Sequence, residues 1–277
     1  MGHFYYNLNG VAKPLWEVPY ADKKKGMRAA TLADAKKVNG KPSPNTIMDI
    51  LAKPGLIRWS DNLLMDAATA ALALSTEYDS DWKTRALELH KAMRQAKADL
   101  GTEIHEEIEK HLRKILGGQQ GYNPERGDKW QRVVESAINW LFDDDEQGSD
   151  IYIENESAVE KYFVNDELGF GGMIDLVGCD EGRPVIVDWK TIDTKGKRFN
   201  AYPKDKCPLL AAYAMGYFGT LEADCFNVFL SRDEPGVIIP MLYSEAEIAT
   251  GWAKFQLCYE LWVLDKGHDP RENNGEE

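Results

Sequence analysis

Apolar positions fall into two regimes along the chain. Up to about residue 142 they recur with helical spacing; beyond 150 they run together or alternate as strands do. In NLLMDAATAALALS, Leu63, Leu64, Ala67, Ala71 and Leu74 share one helical face. After a break at TEYDSD, Ser80 or Asp81 can cap a helix reaching Ala98. Thr102 is a candidate cap for a further helix over 101–116, with Ile104, Ile108, Leu112 and Ile115 as its apolar stripe and Glu103, Glu106 and Glu107 near the positive end of its dipole. WQRVVESAINWLF (130–142) is amphipathic, and a short helix over 45–52 is bounded by prolines. The segment IYIENESAVEKYFV reads as one strand or a bulged pair. GFGGMIDLVGCD and RPVIVDWKT read as two strands joined at DEGR, and DKCPLLAAYAMGYF as a helix. FNVFLSR and GVIIPMLY form a hairpin, and EAEIATGWAKFQLCYELWVLD is a last long helix. This order predicts an α/β or α+β fold, a central mixed sheet flanked by helices. Residues 1–60, rich in Pro, Gly and Lys, read as a basic arm or lid. Residues 61–277 read as one domain, helical over 61–148 with a sheet core over 149–277.

Charge changes this picture more than composition does. The 277 residues carry a formal net charge of −13, while residues 1–60 alone carry +6. The overall acidity argues against bulk nucleic-acid binding, and the basic segment leaves room for a local phosphate groove. The four cysteines, Cys179, Cys207, Cys225 and Cys258, are widely and unevenly spaced, which argues against a disulfide framework, zinc or an iron–sulfur cluster. No stretch approaches the ~20 apolar residues of a membrane helix, and no secretory leader is visible at MGHFYYNLNG. These features place the chain in the cytoplasm, away from membranes.

The candidate chemistry lies on the two joined strands. Asp175 in GGMIDLV and Asp188 in VIVDWKT can meet across an antiparallel ladder. Side-chain alternation puts Lys190 on the face of Asp188 and Trp189 on the other. Two carboxylates held close repel unless a cation lies between them, and carboxylates, a backbone carbonyl and waters suit Mg²⁺ or Mn²⁺. The bland alternative is a pair of strand-end acids paired with Lys190 or Arg183; the D-x12-D-x-K spacing favours the metal site. Gly169, Gly171 and Gly172 permit close approach before Asp175.

On these residues the chain resembles the PD-(D/E)XK nuclease superfamily, and within it the RecB-type exonuclease branch in a compact, phage-like form. The matching pieces, in order, are GTEIHEEIE (101–109), GGMID (171–175), IVDWKT (186–191) and a helix carrying LLAAYA (209–214); KPGLIRW (53–59) matches more loosely. The resemblance implies a restriction-endonuclease-like core and phosphodiester hydrolysis. It implies Asp175, Asp188, the Trp189 carbonyl and His105 as metal ligands, and Lys190 as the residue that positions or activates water. Tyr213 would contact substrate or brace the site, and Glu160, with Glu109 one turn beyond His105, would act from outside the ligand set. A lone histidine beside an apolar stripe is more often a bonded core residue; the G-T-x-x-H context favours the ligand. Leu209 stands where the branch carries glutamine, so that contact to substrate is absent or made elsewhere.

The implied substrate is DNA, as single strands or linear ends, with a recombination or replication protein as partner, and host cytoplasm as the setting if phage-encoded. DWKTIDTKGKRFNAYPKDK (188–206) holds six Lys/Arg against three Asp/Glu. Lys195, Lys197, Arg198 and Lys204 can track a phosphate backbone, with Phe199 and Tyr202 for stacking. A structure-specific endonuclease, and a non-catalytic binding protein that keeps the fold, remain alternatives; oligomeric state stays open.

Overall fold

The structure is a computed structural model that describes residues 3–20, 25–51, 54–73, 81–118, 130–142, 148–195 and 203–272, without the side chains of 54–56 and 203–206. Residues 1–50 with 108–277 form one compact unit and residues 51–107 a second.

The first unit opens on small strands where only short apolar pieces were legible. β1 (Phe4–Leu8) and β2 (Val11–Leu15) form an antiparallel hairpin. Its turn is Asn9-Gly10, both at positive φ (53° and 79°). An Asn-Gly pair between alternating strands is a strong hairpin signal, present in the sequence at the tip of this hairpin. β3 (Glu17–Pro19) pairs with β4 (Met27–Ala29). Then follow α1 (Leu32–Lys36), β5 (Lys41–Pro42) beside β1, and α2 (Pro44–Met48), whose Ser43 cap accepts from the Thr46 N–H at 3.1 Å.

At α1, Asp34 accepts a two-pronged bond from Arg28 (2.7 and 2.9 Å) and two more from the Thr31 hydroxyl and N–H (2.6 and 3.0 Å). Arg28 above all, then Thr31, holds the Asp34 carboxyl well below the usual carboxylate range. A depressed carboxyl stabilises the fold fully above its unfolded pKa, and that contribution fades as pH falls toward the folded value. Asp34→Asn is therefore expected to lower Tm at neutral pH, with the gap from wild type closing in acid. Melting curves across pH check this, and a gap independent of pH would show that the charge is not what matters.

The second unit is helical. α3 (Pro54–Ala73) buries Leu63, Ala67 and Ala71, and Ser60 shares a 3.1 Å hydrogen bond with His90 of α4 (Trp82–Leu116). α4 runs without interruption through the break expected near residue 100. Thr102 is thus no cap: its hydroxyl bonds back to the Ala98 carbonyl (3.2 Å). A mid-helix Gly101 costs about 1 kcal/mol, and strong helix formers on either side, Ala98, Leu100, Glu103 and Glu106, keep the helix continuous through it.

In the first unit again, α5 (Gln131–Phe142) buries Val133, Val134, Ala137, Ile138, Trp140 and Leu141. The segment from 151 is not one strand. Tyr152 makes a single bridge to Cys179, and a short 3₁₀ turn (Glu156–Ala158) capped by Asn155 precedes β6 (Val159–Asn165). β7 (Phe170–Asp180) and β8 (Arg183–Ile192) meet at Glu181-Gly182, again two positive-φ residues. After β8 come α6 (Pro203–Tyr213), a π-helical turn (Ala214–Phe218), β9 (Asp224–Ser231), β10 (Ile238–Leu242) and α7 (Glu245–Lys266). The five-stranded sheet has the order β10-β9-β8-β7-β6. Only β8–β9 is parallel, joined by the α6 crossover; the other pairs are antiparallel. The fold is mixed α+β, a mixed sheet flanked by helices, as the strand and helix order predicted.

Both faces of the sheet are covered. Trp189 meets Trp140 of α5 edge-on (5.9 Å, 87°), and Trp140 also meets Phe226 (5.6 Å). Phe170 meets Phe255 of α7 at 5.1 Å. The cysteines are free thiols, three of them buried. Among the described residues no helix is long and apolar enough to cross a membrane.

Candidate active site

The β7–β8 ladder ends at Leu176↔Val187. One step further the register would set Asp175 opposite Asp188. There the strands part, and the Asp175 side chain takes over from the backbone: its Oδ2 accepts the Trp189 N–H at 2.9 Å. The same residue interrupts the other edge of β7. β6 pairs on both sides of it, Val159↔Leu176 and Lys161↔Ile174, and between them Glu160 adopts a positive φ of 48°. For a non-glycine residue that conformation is strained, by about 1 kcal/mol or more. Two ladders thus give way at one carboxylate.

Asp188 is buried (5 % exposed) and its Oδ2 lies 2.5 Å from Lys190 Nζ. The ammonium also donates to the Trp189 carbonyl at 3.1 Å. Burial opposes charge on Lys190, but Asp188 and Asp175 outweigh it and leave the lysine pKa above its ordinary value. Alternation along β8 places Asp188 and Lys190 together and sends Trp189 into the α5 packing, as its sequence position predicted.

Glu160 and Glu109 gather on the β6 side. Glu160 is half-buried, and burial first, then Glu109 and Asp175, push its carboxyl up to about 7 against a pull from Arg113. Arg113 holds Glu109 at 2.7 Å and donates to the carbonyls of Glu156 (3.2 Å) and Val159 (3.0 Å), fixing the entry to β6.

Tyr213 is 6 % exposed, with its ring edge-on to Phe163 (6.1 Å, 88°). A Cβ on Gly172 would come within 3.0 Å of both rings, so the glycine is what lets them close. Burial, then the charges of Asp188 and Asp175 and the nearby Tyr5, push the Tyr213 phenol well up. Leu209 is buried in the core. His105 lies half-buried on α4 within the helical unit. Lys195 is exposed, its N–H held by Asp233 (3.3 Å). Lys197 and Arg198, with Phe199 and Tyr202, lie outside the described residues, as do the side chains of Lys204 and Lys206.

Two residues at the site escaped the sequence reading. Tyr5 of β1 is buried, its phenol pushed up to about 12, chiefly by burial, with Glu160 and Asp175 contributing. Asn227 of β9, wholly buried, donates to Asp188 Oδ2 at 2.5 Å. The hairpin at Asn9-Gly10 could have signalled an ordered strand at Tyr5. For Asn227 the clue was a lone amide in the apolar strand FNVFLS.

Among the described residues no three His, Cys, Asp or Glu side chains assemble as a metal cage. The donor set is smaller: two carboxylates and a carbonyl. That set fits Mg²⁺ or Mn²⁺, which bind through one or two carboxylates and otherwise through water and substrate phosphate. The Lys190 ammonium already bridges two of these oxygens, so the field there favours a cation.

Comparison with known proteins gives the family. The model of the PD-(D/E)XK nuclease superfamily matches residues 81–256, well over half of the chain. The chain belongs to that superfamily. Its five-stranded mixed sheet is consistent with the restriction-endonuclease-like fold, and membership implies a nuclease; such enzymes typically use divalent ions such as Mg²⁺ or Mn²⁺. No curated protein matches. A solved structure titled "Crystal structure of SSO0001" aligns at 14 % identity and a TM-score of 0.30, covering 72 % of this chain and 86 % of that one.

Proposed function

We propose that the protein is a divalent-metal-dependent DNA nuclease of the RecB-type branch, acting as an exonuclease on single-stranded or open ends. One observation carries the reading: Asp175, Asp188, the Trp189 carbonyl and Lys190 converge where β7 and β8 part. Asp175 and Asp188 would hold the ion, with the Trp189 carbonyl as a further ligand. A divalent ion so held supplies positive charge against the charge that develops on the scissile phosphate. Lys190 orients the attacking water and neutralises phosphate charge. Tyr213, buried as it is, braces the wall. Glu160 and Glu109 set the position of Asp175. Lys195, with Lys197, Arg198 and Lys204, follows the phosphate backbone.

The test is cleavage of end-labelled single-stranded, linear duplex and circular DNA, with matched RNA, in Mg²⁺, Mn²⁺ or EDTA. Shortening of linear DNA that stops in EDTA and spares circles is the expected result. Cut circles would replace the exonuclease with an endonuclease. Tight binding without cleavage under any metal would favour a binding protein, for which the apolar Leu209 is the supporting feature.

A further inference from the structure

We propose that Asn227 is a positioning residue for Asp188, fixing the plane of its carboxylate for cation binding; this rests on the metal-nuclease reading above. Asn227 and Asp188 are direct neighbours across the parallel β8–β9 pair. The Asn227 amide N–H donates to Asp188 Oδ2 at 2.5 Å, and its carbonyl accepts the Tyr243 hydroxyl at 2.7 Å. Both residues are buried, Asn227 at 0 % and Tyr243 at 3 % exposure. Tyr243 is itself fixed, its backbone N–H bonding the Cys225 carbonyl at 3.1 Å.

The direction of the chain of bonds follows from its ends. An ionised carboxylate only accepts, so the amide must present its N–H to Asp188 and its oxygen to the phenol. Asp188 Oδ2 then has two donors, the neutral Asn227 amide and the Lys190 ammonium. Two donors on one oxygen fix the carboxylate plane and with it the direction of Oδ1.

The two donors are not equivalent. Lys190 is on a flexible stem, a quarter exposed, and an arriving cation repels it. Asn227 is neutral and buried, so it stays when the cation arrives. It therefore sets the orientation in the loaded site. A purely structural pair at this depth could be apolar, which avoids burying polar groups; the bonded chain ends on the carboxylate instead.

The experiment compares wild type, Asn227→Leu and Tyr243→Phe by Mn²⁺ titration followed by electron paramagnetic resonance, by the Mn²⁺ dependence of cleavage, and by melting. Asn227→Leu keeps the volume and deletes the donor. Its Mn²⁺ Kd, and the Mn²⁺ needed for half-maximal cleavage, should rise together by about 10- to 100-fold, as for lost partners of metal-ligating groups. Cleavage should recover at saturating Mn²⁺. Tyr243→Phe, which removes one hydroxyl, should shift Kd in the same direction by less, and it decides the matter if Asn227→Leu does not fold. An unchanged Kd in a folded variant, with cleavage lowered equally at every Mn²⁺ concentration, would overturn the inference and leave the nuclease reading intact. Absence of Mn²⁺ binding and cleavage in the wild type would overturn both.

Discussion

Asp188→Ala should reduce metal-dependent cleavage by about a thousandfold or more, and Lys190→Ala by about 100- to 1,000-fold, the usual consequence of removing one charge-stabilising donor. The two losses should differ in kind. Asp188 holds the ion, so its removal should weaken Mn²⁺ binding as well as the rate. Lys190 occupies the same oxygens only while no cation is there, so Lys190→Ala should bind Mn²⁺ at least as tightly as wild type and still turn over slowly. Stability provides a second reading. In Lys190→Ala the Asp188 carboxylate loses its cationic partner, and an uncompensated buried charge is destabilising. Mn²⁺ should therefore raise the melting temperature of this variant by more than it raises that of wild type. Single-turnover cleavage and melting with and without Mn²⁺ test both. Cleavage within tenfold of wild type in either variant would remove that residue from the reaction.

The sequence carried the centre of this site and missed its walls. Asp188, Trp189 and Lys190 were legible because strand alternation is strict: the residue on the apolar face had to be the tryptophan, and the structure buries it against Trp140. The facing of Asp175 and Asp188 followed from a turn expected at DEGR and a count along two strands. The parting of the strands did not, since it depends on the Asp175 side chain capturing the Trp189 N–H, a choice between backbone and side-chain acceptors that spacing cannot express. Nor did the positive φ of Glu160, a strain sustained by its surroundings. Asn227 reaches Asp188 through the parallel pairing of β8 with β9, which lies beyond a crossover and leaves no local pattern. The uninterrupted α4 shows the converse error, a glycine given more weight than the helix formers on either side of it.

The largest expected effect on stability lies away from the carboxylates, at Lys41. Its side chain is wholly buried. The ammonium donates to the Pro270 carbonyl at 2.6 Å and to Asn39 Oδ1 at 3.1 Å, with Asp166 at 3.7 Å. One side chain thus ties β5 to the chain after α7 and to the β6–β7 turn. Burial pulls the Lys41 pKa down while Asp166 pulls it up. Lys41→Ala deletes a buried stem and leaves the Pro270 carbonyl without this donor, for an expected loss of about 3–5 kcal/mol. Lys41→Met keeps the stem and should lose about 1–3 kcal/mol, the cost of the unmade bonds alone. Denaturant midpoints at constant m-value measure both. The effect should reach the site as well, because Lys41 is the register partner of Tyr5, whose ring meets Tyr162 at 6.1 Å and whose phenol feels the charges of Glu160 and Asp175. Cleavage by Lys41→Met should fall under conditions where the variant is still folded. A Lys41→Met protein as stable as wild type would mean that desolvating the ammonium already cancels its three contacts, as happens at many buried ion pairs, and the lysine would then specify where the chain after α7 docks without adding to stability.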